Sequence, residues 1–240
     1  MKLSQSSIWL LSVLMSIGLL VLFLCRANDI ATGDDFRQNL DLPYNARGDP
    51  QEDEEDAPEV VIFYGETFRS DCFVWCVDTS SSMGDGELDI AKREVSRALD
   101  GLSEGSEFGL VFFNHTAETF PISKHPAVAN LASKAEARIY LEGIKAKSNT
   151  CPIAGLDDAF SLTQASTKVR RTIIYLSDGD CSCGELPQTY RVKALAFVST
   201  RNVDRTPINT IGIMNPNLAS ECWLRQVAEV TGGRYARITH

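Results

Sequence analysis

Histidine is scarce in this chain: three residues among 240. His115, His125 and His240 stand apart from any catalytic partner motif, so imidazole-driven catalysis has no sequence support. H-E-x-x-H and P-loop patterns are also missing, which removes the common signatures of zinc proteases and nucleotide hydrolases. No internal repeat is visible, so a solenoid is excluded. A basic patch is lacking too. The formal net charge is −9, and the stretch from Asp29 to Glu59 holds eleven Asp/Glu against two Arg. Outside it, acids and bases balance at 21 each. Nucleic-acid binding normally needs clustered positive charge, and no such partner is expected here.

The acidity belongs to a tether. Glu52-Asp53-Glu54-Glu55-Asp56 lies within residues 29–58, a segment too charged to bury a core, which reads as a solvated linker. Before it, Ile8 to Cys25 carries no charge and is apolar apart from Ser12, Ser16 and Gly18. A helix of that length reaches about 27 Å, close to a bilayer's hydrocarbon core. Lys2 precedes it and acids follow, so a single-pass anchor would keep the N-terminus cytoplasmic and the remainder extracytoplasmic. Cleavage as a signal peptide, with Cys25 and Ala27 as small residues at the −3 and −1 positions, is the alternative and would give a secreted protein. Three segments result: residues 1–28 as membrane anchor, 29–58 as linker, and 59–240 as a folded domain of ordinary size.

Within that domain, apolar runs alternate with helical periodicity. Strands are expected at 59–65, paired with the strand beginning at Cys72, and at 108–113, 116–120, 172–176, 208–213 and 234–238. Helical spacing covers 87–102, where Leu88, Ala91, Val95, Ala98, Leu99 and Leu102 recur on one face, and also 131–144, 153–165, 186–200 and 218–230. Such alternation implies βαβ units, a mainly parallel central sheet flanked by helices, and a three-layer α/β domain of Rossmann-like type. Asp157-Asp158 reads as a solvated helix face, and Asn114-His115-Thr116 matches a glycosylation sequon.

One junction stands out. Cys72-Phe73-Val74-Trp75-Cys76-Val77 ends in Asp78-Thr79-Ser80-Ser81-Ser82, an acid and two hydroxyls at alternating positions just past a strand end. Oxygens arranged this way suit a hard divalent cation such as Mg²⁺. Asp178 follows a second apolar run and precedes Gly179; Thr150 precedes Pro152 and a helical segment. Loops at the carboxyl ends of parallel strands line one crevice, which would bring Asp78, Ser80, Ser82, Thr150 and Asp178 together. Taken singly, Ser80 and Ser82 are ordinary helix caps with Glu87 close behind, and Asp178-Gly179 is an ordinary turn. The conjunction gives the set its weight.

This set resembles the metal-ion-dependent adhesion site of von Willebrand factor type A domains. The text around it agrees: FVWCVDTSSSM (Phe73–Met83) is similar to the family's first core strand and metal loop. FGLVFF (Phe108–Phe113) is similar to its next strand, and LRQVAEVTGGRY (Leu224–Tyr235) to its last helix, turn and strand. The resemblance spans roughly residues 60–240. It implies a binding module and not an enzyme, in which Ser80, Ser82 and in some states Thr150 touch the metal while Asp78 and Asp178 act largely through water. The ion would be Mg²⁺, Mn²⁺ or Ca²⁺, with a position left for an Asp or Glu carboxylate of a protein partner.

Two rivals remain. A Mg²⁺-dependent hydrolase would need a nucleophile or base beside the ion, and only Ser81 and Asp180 are at hand. A thiol–disulfide protein would use Cys181-Ser182-Cys183. Cys151, Cys181 and Cys183 sit just past the Thr150 and Asp178 positions, as free thiols or as a disulfide stapling the rim. Zinc is disfavoured for these three, because C-x-C lacks the usual two-residue spacing and no histidine is expected nearby.

Overall fold

The seven residues from Cys72 to Asp78 are all buried, and that run is the axis of the fold. The computed structural model describes residues 57–147, 149–213 and 216–238. The proposed membrane segment at residues 8–25, the acidic stretch through residue 56, and His240 lie outside the described residues. Among the described residues, no helix is long and apolar enough to cross a membrane.

Among the described residues nine strands form: β1 (Glu59–Phe63), β2 (Glu66–Ser70), β3 (Cys72–Asp78), β4 (Glu107–Phe113), β5 (Ala117–Phe120), β6 (Ala127–Val128), β7 (Arg171–Ser177), β8 (Ile208–Gly212) and β9 (Tyr235–Arg237). Five α-helices among the described residues join them: α1 (Gly84–Gly101), α2 (Leu131–Gly143), α3 (Pro152–Ala165), α4 (Pro187–Arg201) and α5 (Leu218–Thr231). The central sheet runs β5-β4-β3-β7-β8-β9, with β6 paired to β4. β3, β4, β7, β8 and β9 are parallel; β5 and β6 join antiparallel.

Burial on both faces explains the unbroken apolar strands. Successive side chains of β3 point to opposite faces. Phe73, Trp75 and Val77 pack with α1, α2 and the β1–β2 hairpin, whereas Cys72, Val74 and Cys76 pack with α3, α4 and α5. Gly155 lets α3 lie close on β4, since a Cβ there would stand 2.6 Å from the Phe113 ring. This is the three-layer α/β arrangement implied by the alternating pattern.

Some local expectations are corrected. β1 pairs with β2 and not with β3. The reason is the tight turn at Tyr64-Gly65, both with positive φ (51° and 78°), which matches hairpin twist and sends the chain straight back on itself. α1 begins at Gly84, earlier than its apolar spacing shows, because glycines carry no periodicity signal. β6, two residues long, escapes any pattern. Asp158 is not a solvated helix residue: it is buried, accepts a hydrogen bond from Thr119 Oγ1 at 2.6 Å, and pairs with Lys124. Asn114 of the sequon is buried and bonded internally, so it is not displayed for glycosylation.

Candidate metal centre at the carboxyl end of the sheet

β3 and β7 are neighbours in register, Val77 beside Leu176, so Asp78 and Asp178 emerge from adjacent strand ends. The sheet order also reverses at β3, whose two parallel neighbours are reached by separate crossovers. That is where ligands bind in open α/β sheets. Sequence distance between the two acids is thus cancelled by topology.

Asp78 is fully buried. Its Oδ1 accepts the Ser80 N–H at 2.8 Å, and its Oδ2 accepts the Ser177 hydroxyl at 2.8 Å. Ser80 Oγ stands 2.9 Å from Ser82 Oγ. Neither serine caps the helix that follows: Ser80 precedes the 3₁₀ turn Ser81–Met83 without any side-chain cap bond, and α1 starts after Met83. The two hydroxyls therefore remain with each other, and that of Ser80 also with the Asp78 carboxylate.

Burial pushes the Asp78 carboxyl from its ordinary 3.8 up to about 7, and the nearby Asp178 carboxylate pushes the same way. The hydrogen bonds from Ser80 and Ser177 oppose this. Among the described residues neither acid is in an ion pair; the adjacent cation, Arg191, reaches Asp180 instead, at 3.7 Å. Buried Asp78 and Ser80 thus adjoin half-buried Asp178 and exposed Ser82, and among the described residues no positive side chain pairs with either acid. A small oxygen-seeking cation matches that donor set, because it would replace the lost hydration and offset the charge.

Gly179 shapes the second loop. Its φ is +74°, and a Cβ there would meet the Ser220 carbonyl at 2.8 Å. Only glycine takes this conformation without cost, so Asp178-Gly179 is a structural necessity as well as a turn signal. Arg191 clamps the loop to α5 by donating to the Gly179 carbonyl at 3.1 Å and to Ser220 Oγ at 2.8 Å.

Thr150 is buried and reaches the site through its neighbours. Its N–H donates to Ser182 Oγ at 3.1 Å, and its carbonyl accepts the Ser182 N–H at 3.1 Å. A disulfide between Cys151 and Cys183 staples the same two loops. The first loop is tied in as well, since Lys147 N–H donates to the Thr79 carbonyl at 2.8 Å. Asn114 is the link that residue patterns miss. It donates through Nδ2 to Thr79 Oγ1 at 3.1 Å, while its carbonyl accepts the Cys151 N–H at 2.7 Å. Hidden in a sequon at a strand end, it couples the Asp78 and Thr150 loops.

The thiol reading is corrected by the pairing. Cys181 and Cys183 do not form a redox pair; Cys183 is bonded to Cys151, and Cys181 is a buried free thiol. Burial raises the Cys181 thiol to about 12, with Arg191 opposing, so its thiolate is scarce near neutrality. The view that no histidine stands near these cysteines is also corrected, since His115 Nδ1 lies 3.6 Å from Cys151 Sγ.

Residues 73–180 match the family model of the von Willebrand factor type A domain. Solved structures of similar fold include a von Willebrand factor type A protein from Catenulispora acidiphila. It is 22% identical with a TM-score of 0.59, over 72% of this chain and 40% of that one. The PilB minor pilin from Streptococcus sanguinis is 14% identical with a TM-score of 0.56, over 72% of this chain and 60% of that one. The vWF domain of the type V pili tip protein Mfa5 from Porphyromonas gingivalis is 13% identical with a TM-score of 0.51, over 74% of this chain and 90% of that one. No curated protein matches. The chain thus spans 40% and 60% of these first two structures, less than two thirds of each, and at these identities the likeness establishes the fold alone. The described unit has the α/β fold of a von Willebrand factor type A domain, with a mostly parallel sheet and flanking helices.

Proposed function

We propose that this domain is a cation-dependent binding module that engages a protein partner. The observation that carries the reading is the buried Asp78 carboxylate, held by hydroxyl and backbone donors beside Asp178, with no ion pair to either acid among the described residues. Asp78, Ser80, Ser82, Thr150 and Asp178 would hold a Mg²⁺, Mn²⁺ or Ca²⁺ ion. When bound, the ion supplies a positive centre with an exchangeable position for an Asp or Glu carboxylate of the partner. Ser177 and the Ser80 N–H orient Asp78, and the Cys151–Cys183 disulfide and Asn114 hold the three loops together.

A binding role in preference to catalysis rests on the surroundings. Ser81 is exposed, and Asp180 is exposed and faces Arg191, so neither is set up as a nucleophile with a helper. Among proteins of similar fold, a minor pilin and a pilus tip protein support an adhesive role outside the cytoplasm. We place the domain extracytoplasmically, tethered through residues 8–25 and the acidic linker. The disulfide fits such a compartment.

The test is calorimetry of the full chain with Mg²⁺ and Mn²⁺, with Asp78→Ala as control. One saturable site, lost in the variant, is expected, and partner capture should then depend on the cation. Absence of cation binding in the wild type, or equal binding by Asp78→Ala, would sink the proposal.

A further inference from the structure

A second group of metal-ligating side chains lies at the same end of the sheet and is chemically unlike the first. His115 sits at the turn after β4, where its N–H donates to Asn114 Oδ1 at 2.6 Å and leaves the ring exposed. Cys151 is buried just before α3, and Cys183 is half-buried in the loop after β7. The His115 ring nitrogen and the two sulfurs all lie within 4.8 Å of one another, and Nδ1 stands 3.6 Å from Cys151 Sγ. Three elements distant in sequence therefore deliver one imidazole and two sulfurs to one point.

We propose that His115, Cys151 and Cys183 form a redox-gated site for a zinc-class cation. While the disulfide is closed, its sulfurs are poor ligands and the bond serves as a staple. A dithiol reductant opens it by exchange. One reductant thiolate attacks Cys183 Sγ, the more accessible sulfur, the Cys151–Cys183 bond breaks, and Cys151 leaves as thiolate. The second reductant thiol then releases Cys183 by forming the reductant's own disulfide. Two electrons pass to the protein and none are left over. The freed thiols give up their protons to solvent as the cation binds.

Geometry favours this cation class. Bonds of about 2.0–2.3 Å meeting at a tetrahedral angle set zinc donors roughly 3.5–3.8 Å apart. The imidazole and Cys151 already have that spacing, so only the two sulfurs must separate. Thiolate and imidazole select zinc-class ions over Mg²⁺, which prefers oxygen. Three protein ligands leave a fourth position for water or a partner side chain. In the reduced chain the cation would bridge the Thr150 and Cys183 loops as the disulfide does in the oxidised one. The inference is independent of the Asp78 site.

The experiment uses the full chain, reduced with dithiothreitol, desalted without oxygen and titrated with Co²⁺ as a spectroscopic stand-in for zinc. The reduced wild type should gain sulfur-to-cobalt charge-transfer absorption and tetrahedral ligand-field bands at one equivalent; the oxidised chain should gain neither. After reduction, His115→Ala should bind at least roughly tenfold more weakly, the lower end of what losing even an orienting partner costs. Because His115 is exposed, that variant keeps its fold. Cys222 is disulfide-bonded too, so Cys222→Ser must leave the spectrum intact. Asp78→Ala must also leave it intact, which separates this site from the oxygen site. Absence of the bands in the reduced wild type, their persistence in Cys151→Ser/Cys183→Ser, or indifference to His115→Ala overturns the assignment. So does loss of the bands in Cys222→Ser or Asp78→Ala.

Discussion

Replacing Asp78 with Asn should strengthen the cation-free fold while abolishing cation binding. The amide fits the existing contacts. Its Oδ1 can still accept the Ser80 N–H, and its Nδ2 can donate to Ser177 Oγ, whose hydroxyl rotates from donor to acceptor. What disappears is a buried charge whose pKa stands about three units above its ordinary value. Each unit is about 1.4 kcal/mol, so neutralisation should recover about 2–4 kcal/mol above pH 7, allowing for imperfect amide geometry. For a unit of this size that is roughly 5–15 °C in Tm. The pH dependence has a definite sign. With the native pKa above the unfolded one, the proton favours the native state; that stabilisation is complete below about pH 4 and is lost as pH rises through about 7. The wild-type-minus-variant difference should therefore widen across that window and then level off. Urea unfolding in EDTA, from pH 4 to 8, measures it. A variant less stable than wild type at pH 8 in EDTA, or one that still gains stability from Mg²⁺, would refute the reasoning.

Other outcomes follow from the same geometry. Because a proton and a cation compete for Asp78, Mg²⁺ affinity should rise about tenfold from pH 6 to pH 8 by calorimetry; a flat profile would remove Asp78 from the ligand set. Gly179→Ala should cost about 1–3 kcal/mol in urea unfolding and weaken Mg²⁺ binding, since it forces a Cβ into a left-handed backbone against Ser220. Cys151→Ser/Cys183→Ser opens a staple across a separation of 32 residues. It should cost about 2–4 kcal/mol, read as a lower urea midpoint. Asp158→Ala should cost about 1–3 kcal/mol, because the half-buried Thr119 hydroxyl and Lys124 lose their buried acceptor; a neutral result would restore the view of a solvated residue.

Much of the fold was legible because its signals are local. Strands buried on both faces must be apolar without interruption, and β3, β4 and β7 read that way directly. Helical periodicity marked the five described helices, with errors of a few residues at their ends. The hairpin failed because pairing is a choice between partners. Nothing in Glu59–Phe63 says whether β2 or β3 will take its edge until the turn at Tyr64-Gly65 decides.

The site divides along the same line. Sequence by itself determined which groups are available: the D-x-S-x-S oxygens of Asp78, Ser80 and Ser82, and the Asp178-Gly179 turn, because residue type and strand-end position are local properties. Tertiary structure alone decided which groups meet and in what electrostatic setting. It set Asp78 at zero exposure beside Asp178, paired Cys151 with Cys183 in preference to Cys181, recruited Asn114 as a brace, and brought His115 to the disulfide. Burial and long-range proximity depend on the whole chain packing at once, and no window of sequence encodes them.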